Sequence, residues 1–312
     1  MSINRRYITT AIVTIMCTVM ASAQKIAVVS AEGTTTVYQT LQQVIENAVD
    51  GDVIYLPGGG FQISDDVKIT KKVSIVGIGH KAKSENSDGN TVISGNLYFQ
   101  GNSTGSSVMG CYISGNVNIG AAVHNIVMKY CNLNAVSISG GSTGTVVNQC
   151  YLRGTSGFGS ASATLTNNVI NSVSGLNGGI VKNNVIKSSS SFTNCSISQN
   201  IFLSSQSTGS GCVYSDNMGI SDIGDNPINV SEIGWEALFK KYNNGNVTPA
   251  SNFHFTDDYI ATYRRIGLDG GTGFDDSGQP PLPFIMAKTI AGQTDASENL
   301  NIKIRVQPGG KK

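Results

Sequence analysis

The chain has 312 residues, with 21 Lys and Arg against 20 Asp and Glu and only 13% charged side chains. No basic field exists to draw in nucleic acid or an anionic membrane, and those partner classes are excluded. Gly, Ser, Asn and Thr abound, yet runs of Val, Ile and Tyr return regularly, which separates this composition from that of a disordered chain.

Residues 1–23 read as a cleavable signal peptide. Arg5 and Arg6 supply the positive start, Ile8 to Met20 the apolar stretch, and Ala21-Ser22-Ala23 the cleavage site before Gln24. The stretch is too short to span a bilayer, and Met16 ahead of Cys17 does not suit lipid attachment. The expected product is secreted or held at the cell surface, with no membrane insertion after cleavage. Removing the two arginines from 21 basic residues leaves 19 against 20 acids, a net charge near −1.

Tyr38 to Val49 is predicted to be a helix, with Leu41, Val44, Ile45 and Ala48 on one face and Asp50-Gly51 ending it. Strands follow at Val53 to Leu56, Val67 to Ile69 and Val73 to Val76, separated by a Pro-Gly turn and polar residues. Then a short apolar run recurs behind a Cys or Asn: CYISG at Cys111, CNLNA at Cys131, CYLRG at Cys150, NVINS at Asn168, NVIKS at Asn184 and NIFLS at Asn200. The residues after these anchors stand at 112, 132, 151, 169, 185 and 201, in steps of 20, 19, 18, 16 and 16. A loose period of this size indicates a solenoid, whose repeats bury their apolar faces against each other. Three to five Val/Ile/Tyr-rich residues between Gly, Ser, Asn and Thr turns favour strands and leave no room for a helix in each repeat.

One coil per repeat, stacked at about 4.8 Å, gives an all-β fold: a parallel β-helix with the helix at 38–49 capping its open end. Asn suits the corners, because it tolerates left-handed backbone and its amide can bond the equivalent Asn one coil away. Cys111, Cys131 and Cys150 form an inward stack. Cys195 and Cys212 complete an odd set of five after signal removal, read as free buried thiols with disulfides as the alternative. The division is 1–23 signal, 24–79 cap helix and first coils, 80–229 β-helix body, and 230–312 C-terminal coils and closure.

From Asp216 to Tyr263 charges and bulky aromatics return. Ser231 is a candidate N-cap for a helix over Glu232 to Tyr242, with Trp235, Leu238 and Phe239 inward. The competing reading is a last pair of degenerate coils around ALFKKY and NFHF. Asn299 to Val306 alternates like a half-buried edge strand.

The run LQQVIENAVDGDVIYLPGGGFQISDDVKITKKVSIVGIG within 38–79 resembles the opening of right-handed parallel β-helix proteins of the pectate-lyase-like superfamily. The cap helix, Gly-Asp, apolar strand, Pro-Gly turn and Lys-x-Val-x-Ile-x-Gly coil carry the likeness. RRIGLDGGTGFDDSGQPPLPFIMAKTI from Arg264 is similar to the closure of secreted bacterial members. The resemblance implies a right-handed β-helix. It does not imply one activity, because the superfamily holds lyases, hydrolases, esterases, adhesins and tailspikes.

From Asn90 through Ser215 there is no Asp or Glu. Glycoside hydrolysis by the usual route needs two carboxyl groups, and a calcium-assisted lyase needs carboxylate oxygens for its cation. The body coils, which carry these groups in superfamily enzymes, supply none. What remains is Lys129, Arg153, Lys182 and Lys187, with His124 and Tyr130 nearby. A metal-free β-elimination on a uronic acid would use Lys129 or Arg153 to neutralise the carboxylate and Tyr130 or His124 to move the proton. By their offsets from the anchors, Lys129 and Lys182 share one face, and Arg153 and Lys187 another. The reading preferred here is isolated solubilising charges, with no catalytic, cofactor or metal residue.

Asp65-Asp66, Asp257-Asp258 and Asp275-Asp276 read as turn-makers rather than metal ligands. The expected function is therefore a non-catalytic module that binds an extracellular or cell-surface polysaccharide. The alternative is a uronic-acid polysaccharide lyase.

Overall fold

The computed structural model describes residues 25–64, 67–81, 89–281, 284–290 and 302–307, the last two segments by their backbone. The chain is mostly strand and winds into a parallel β-solenoid of about eight turns. One sheet has 11 strands and runs from Thr35–Tyr38 to Val213–Ser215; the other has 12 and runs from Gly59–Gln62 to Ile228–Asn229.

The alternation in each repeat sets which residues face in. In the first sheet Ile54, Ile75, Val108, Met128, Val147, Leu165, Val181, Ile197 and Tyr214 fall in register one above another. All are buried, as is the facing row of Phe61, Ile93, Ile113, Leu133, Leu152, Ile170, Ile186 and Phe202. Each such side chain contributes about 1.5–3 kcal/mol of burial, which no single coil could collect alone.

The helix is shorter than predicted. Helix α1 spans Leu41–Asn47, with Thr40 as N-cap accepting from Gln43 N at 3.2 Å. Its Leu41, Val44 and Ile45 are buried in the solenoid core. Tyr38 belongs instead to the strand Thr35–Tyr38, and Ala48 is already extended. The first coil holds this exit in place: Asp50 Oδ1 accepts from Lys72 N at 2.8 Å, and Asp52 Oδ2 from Val49 N at 3.0 Å. An antiparallel strand that was not among the predicted elements, Ile26–Val29, pairs both Thr35–Tyr38 and Val53–Tyr55 at this end of the sheet.

The two properties expected of the corner Asn prove to belong to adjacent residues. The residue before each anchor adopts the left-handed backbone: Tyr130, Gln149, Asn167, Asn183, Gln199 and Asp216 have φ between +50° and +57°. The anchor itself points inward and makes the ladder. Asn168, Asn184 and Asn200 each donate through Nδ2 to the Oδ1 of the Asn one coil on, at 2.9–3.1 Å, ending at Asn217. The same Oδ1 atoms also accept the anchor backbone N–H at 2.9–3.0 Å. Toward the N-terminus thiols take over this duty, with Cys150 Sγ accepting from Cys131 N at 3.4 Å. All five described cysteines are free.

Beyond the coils neither expectation for 232–242 holds in full. Helix α2 is only Trp235–Leu238, with Gly234 as N-cap and no side-chain cap from Ser231. Phe239–Lys241 then pairs antiparallel with Asn252–Phe255, and helix α3 spans Asp257–Tyr263. Trp235, Leu238 and Phe239 are buried as predicted, but in a second core outside the solenoid. That core uses the outward-facing residues Tyr151, Val169, Val185, Ile201 and Met218 of the 12-stranded sheet. Residues 264–281 then run back along the corner as a strap. At the C-terminus Ile302–Gln307 pairs antiparallel with Phe284–Ile290.

Candidate functional site

The strap reads the left-handed corner coil by coil, because a left-handed residue turns its side chain and carbonyl away from the core. Gly267 N donates to Gln199 O at 2.8 Å. Asn183 and Asn167 donate through Nδ2 to the carbonyls of Arg265 and Gly270, both at 2.7 Å. Asp275 N donates to Gln149 Oε1 at 2.9 Å, and His80 N to Gly278 O at 3.0 Å. Gly270 has no alternative, since a Cβ there would strike Asn183 Nδ2 and Arg265 O.

This path carries acids to a flank that has none of its own, which revises the expectation of an acid-free flank. Their geometry assigns them to the fold. Asp269 Oδ1 lies 2.6 Å from His254 Nδ1, and its Oδ2 accepts from Phe255 N at 2.8 Å. Asp276 Oδ2 lies 3.4 Å from His254 Nε2 and accepts from Asn252 Nδ2 at 3.2 Å. A carboxylate thus lies near each ring nitrogen of His254. Asp275 Oδ1 accepts from Ser277 N at 2.9 Å, the turn-making bond expected of it. Asp257 and Asp258 sit in the first turn of α3, where negative charge suits the helix dipole. Asp65-Asp66 lies outside the described residues. Among the described residues no group of three or more His, Cys, Asp or Glu could hold a metal ion.

His80 lies under the strap, edge-on to Tyr151 with ring centroids 5.6 Å apart. Neither of its ring nitrogens has a hydrogen-bond partner. Burial, helped by Lys81, lowers its pKa to about 4. Burial, with Asp276 nearby, pushes the Tyr151 phenol well above its ordinary range.

The four residues proposed for an elimination lie on different elements. Lys129 ends the strand Val127–Lys129 in the 11-stranded sheet, and the register Lys129–Asn148–Thr166–Lys182 puts it on one face with Lys182, as the offsets predicted. Tyr130 follows at the corner, its hydroxyl accepting from Gln149 Nε2 at 3.4 Å; burial and Asp275 raise its pKa. Arg153 is in the other sheet, its guanidinium 4.9 Å from the centroid of the Tyr112 ring. His124 lies on the turn before Val127–Lys129, where its Nδ1 accepts from Thr143 N at 3.2 Å and sits 2.9 Å from Thr143 Oγ1.

The 12-stranded sheet also carries a polar and aromatic face on its early coils, reaching the strand Tyr151–Gly157. Asn96, Asn116 and Asn134 follow one another at its bend: Asn116 N donates to Asn96 Oδ1 at 2.7 Å, and Asn134 Nδ2 to Asn116 Oδ1 at 2.9 Å. Tyr98 takes a bond from Asn96 Nδ2 at 3.3 Å and carries Lys68 Nζ 3.7 Å above its ring. On the other side of the bend Tyr112 carries the Arg153 guanidinium over its ring. All are half-buried. Sequence reasoning named Arg153 of this set and assigned no positions to the tyrosines and asparagines that the polar flanks would carry.

Fold and site together define a parallel β-solenoid with an aromatic-amide flank and a strapped corner. Comparison with protein-family models, with curated proteins and with solved structures gives no match to this chain.

Proposed function

We propose that this chain is an exported, non-catalytic right-handed β-helix module of the pectate-lyase-like kind. Its aromatic-amide flank binds an extracellular or cell-surface polysaccharide. The observation that carries the reading is the half-buried run of Asn96, Asn116 and Asn134 at the bend of the 12-stranded sheet, with Tyr98 bonded to Asn96 and Tyr112 on the same sheet. Aromatic rings stack on the apolar faces of sugar rings, and amides serve both as donors and as acceptors for hydroxyls. The described aspartates of the strap, Asp269, Asp275 and Asp276, are paired or hydrogen-bonded within the fold, which supports the non-catalytic reading.

The test is a glycan array with the purified protein, followed by titration of the best ligand. Tyr112→Ala is expected to weaken binding by about tenfold or more, the scale of one lost aromatic contact. Turnover of a uronic-acid polymer to unsaturated ends, abolished by Lys129→Ala or Arg153→Ala, would replace this reading with that of a lyase.

A further inference from the structure

The cysteines fall into two settings that differ in access. Cys111, Cys131 and Cys150 are stacked on successive coils with no solvent exposure. Cys195 and Cys212 form a second stack at the far end of the 11-stranded sheet. There the register Ser196↔Val213 sets the two cysteines side by side on adjacent coils. Cys195 is 2% exposed, whereas Cys212 is only half-buried, since no further strand of that sheet follows its coil. Cys195 N donates to Cys212 Sγ at 3.3 Å, so the outer sulfur already lies against the inner residue. Equivalent Cα atoms on stacked strands are about 4.8 Å apart, inside the range a disulfide tolerates.

We propose that Cys195 and Cys212 are a thiol pair that closes to an inter-coil disulfide by exchange with a low-molecular-weight disulfide, locking the last coil of this sheet to the one before it. Cys212 reacts first because it is reachable. Its thiolate attacks one sulfur of the small disulfide, the S–S bond breaks, and one small thiol leaves with a proton. Cys195 then attacks the Cys212 sulfur of the mixed disulfide and expels the second small thiol. Two protein thiols are oxidised and one small disulfide is reduced to two thiols, so atoms and electrons balance. Cys195 is placed for the second step by the register that sets it beside Cys212, and its burial keeps it from reacting with the small disulfide first. The inner stack has the same spacing and no access, and it stays reduced.

The experiment incubates the folded protein with oxidised glutathione, blocks remaining thiols with N-ethylmaleimide, and maps chymotryptic peptides, which separate the pair at Phe202. The expected result is loss of two hydrogens and a Cys195–Cys212 cross-link, together with a higher Tm than the reduced protein. Cys195→Ser is expected to stop at glutathione on Cys212, and Cys212→Ser to take up no glutathione. The wild type decides by itself if either variant fails to fold. All five described thiols remaining reduced, glutathione persisting on wild-type Cys212, or a cross-link through Cys111, Cys131 or Cys150 would each overturn the proposal.

Discussion

Asn184→Ala removes the middle rung of the inward amide ladder. Asn184 is fully buried; its Oδ1 accepts from Asn168 N at 2.9 Å and Asn168 Nδ2 at 3.0 Å. Its Nδ2 donates to Leu165 O at 2.8 Å, Lys182 O at 3.1 Å and Asn200 Oδ1 at 2.9 Å. After truncation Asn168 N loses its side-chain acceptor, and Asn168 Nδ2 keeps only Val147 O, at 2.9 Å. Stranding a buried polar group costs about 1–3 kcal/mol, so two or more place the loss near 4 kcal/mol, a large share of a domain's usual 5–15. Asn184→Cys is the informative control. A thiol at the equivalent position already accepts a backbone N–H, as Cys150 does from Cys131, so Cys should recover about 1–2 kcal/mol of that loss. Urea denaturation followed by circular dichroism measures both variants, with m checked for constancy. An Ala cost below about 1 kcal/mol, or a Cys variant no better than Ala, would refute the view that the ladder holds the coils through buried hydrogen bonds.

His80 makes stability fall with acid. Its folded pKa of about 4 lies below the ordinary 6.5, so between those values the unfolded chain binds the extra proton, and stability drops as pH falls through this window. The loss amounts to about 3 kcal/mol and is complete near pH 4; denaturation midpoints for His80→Phe should be flatter across pH 7 to 4, and equal slopes would remove His80 as the cause. Ile201→Ala empties a fully buried outward position under the second core, and a loss of about 2–4 kcal/mol is expected in thermal unfolding. A loss within 0.5 kcal/mol, the usual range of a surface change, would mean that the 230–281 region is not docked there in solution.

The coils were legible because their spacing is a local property. Each anchor at 111, 131, 150, 168, 184 and 200 is followed by an inward residue two positions on, and the structure keeps that register. The shared face of Lys129 and Lys182 followed from the same offsets. The cap helix was legible from its apolar stripe, but its ends were set by Thr35–Tyr38 pairing and by Asp50 and Asp52, which sequence periodicity does not register. A signal for the second core was present and went unread. Val169-Ile170, Val185-Ile186 and Ile201-Phe202 are apolar doublets, and a strand exposed on one face would alternate instead. The strap was legible only as a likeness to a closure segment; its path was not, because it binds through backbone carbonyls and glycines to residues far away in sequence, such as Gly270 to Asn167. Of the candidate site, Arg153 was visible as a charge; its place over Tyr112 depends on coils that stack only in the fold.

The strap also bears on how the molecule is made. A ribosome releases the coils from the N-terminal end, and each can settle on its predecessor as it emerges. Val169, Val185 and Ile201 nevertheless stand in water until the chain beyond residue 230 arrives to cover them. The hydrogen bonds at Gln149, Asn167 and Asn183 wait for that same late segment. A solenoid that could grow turn by turn is thereby given a finishing step, and a chain cut short before it would carry a greasy stripe down its side.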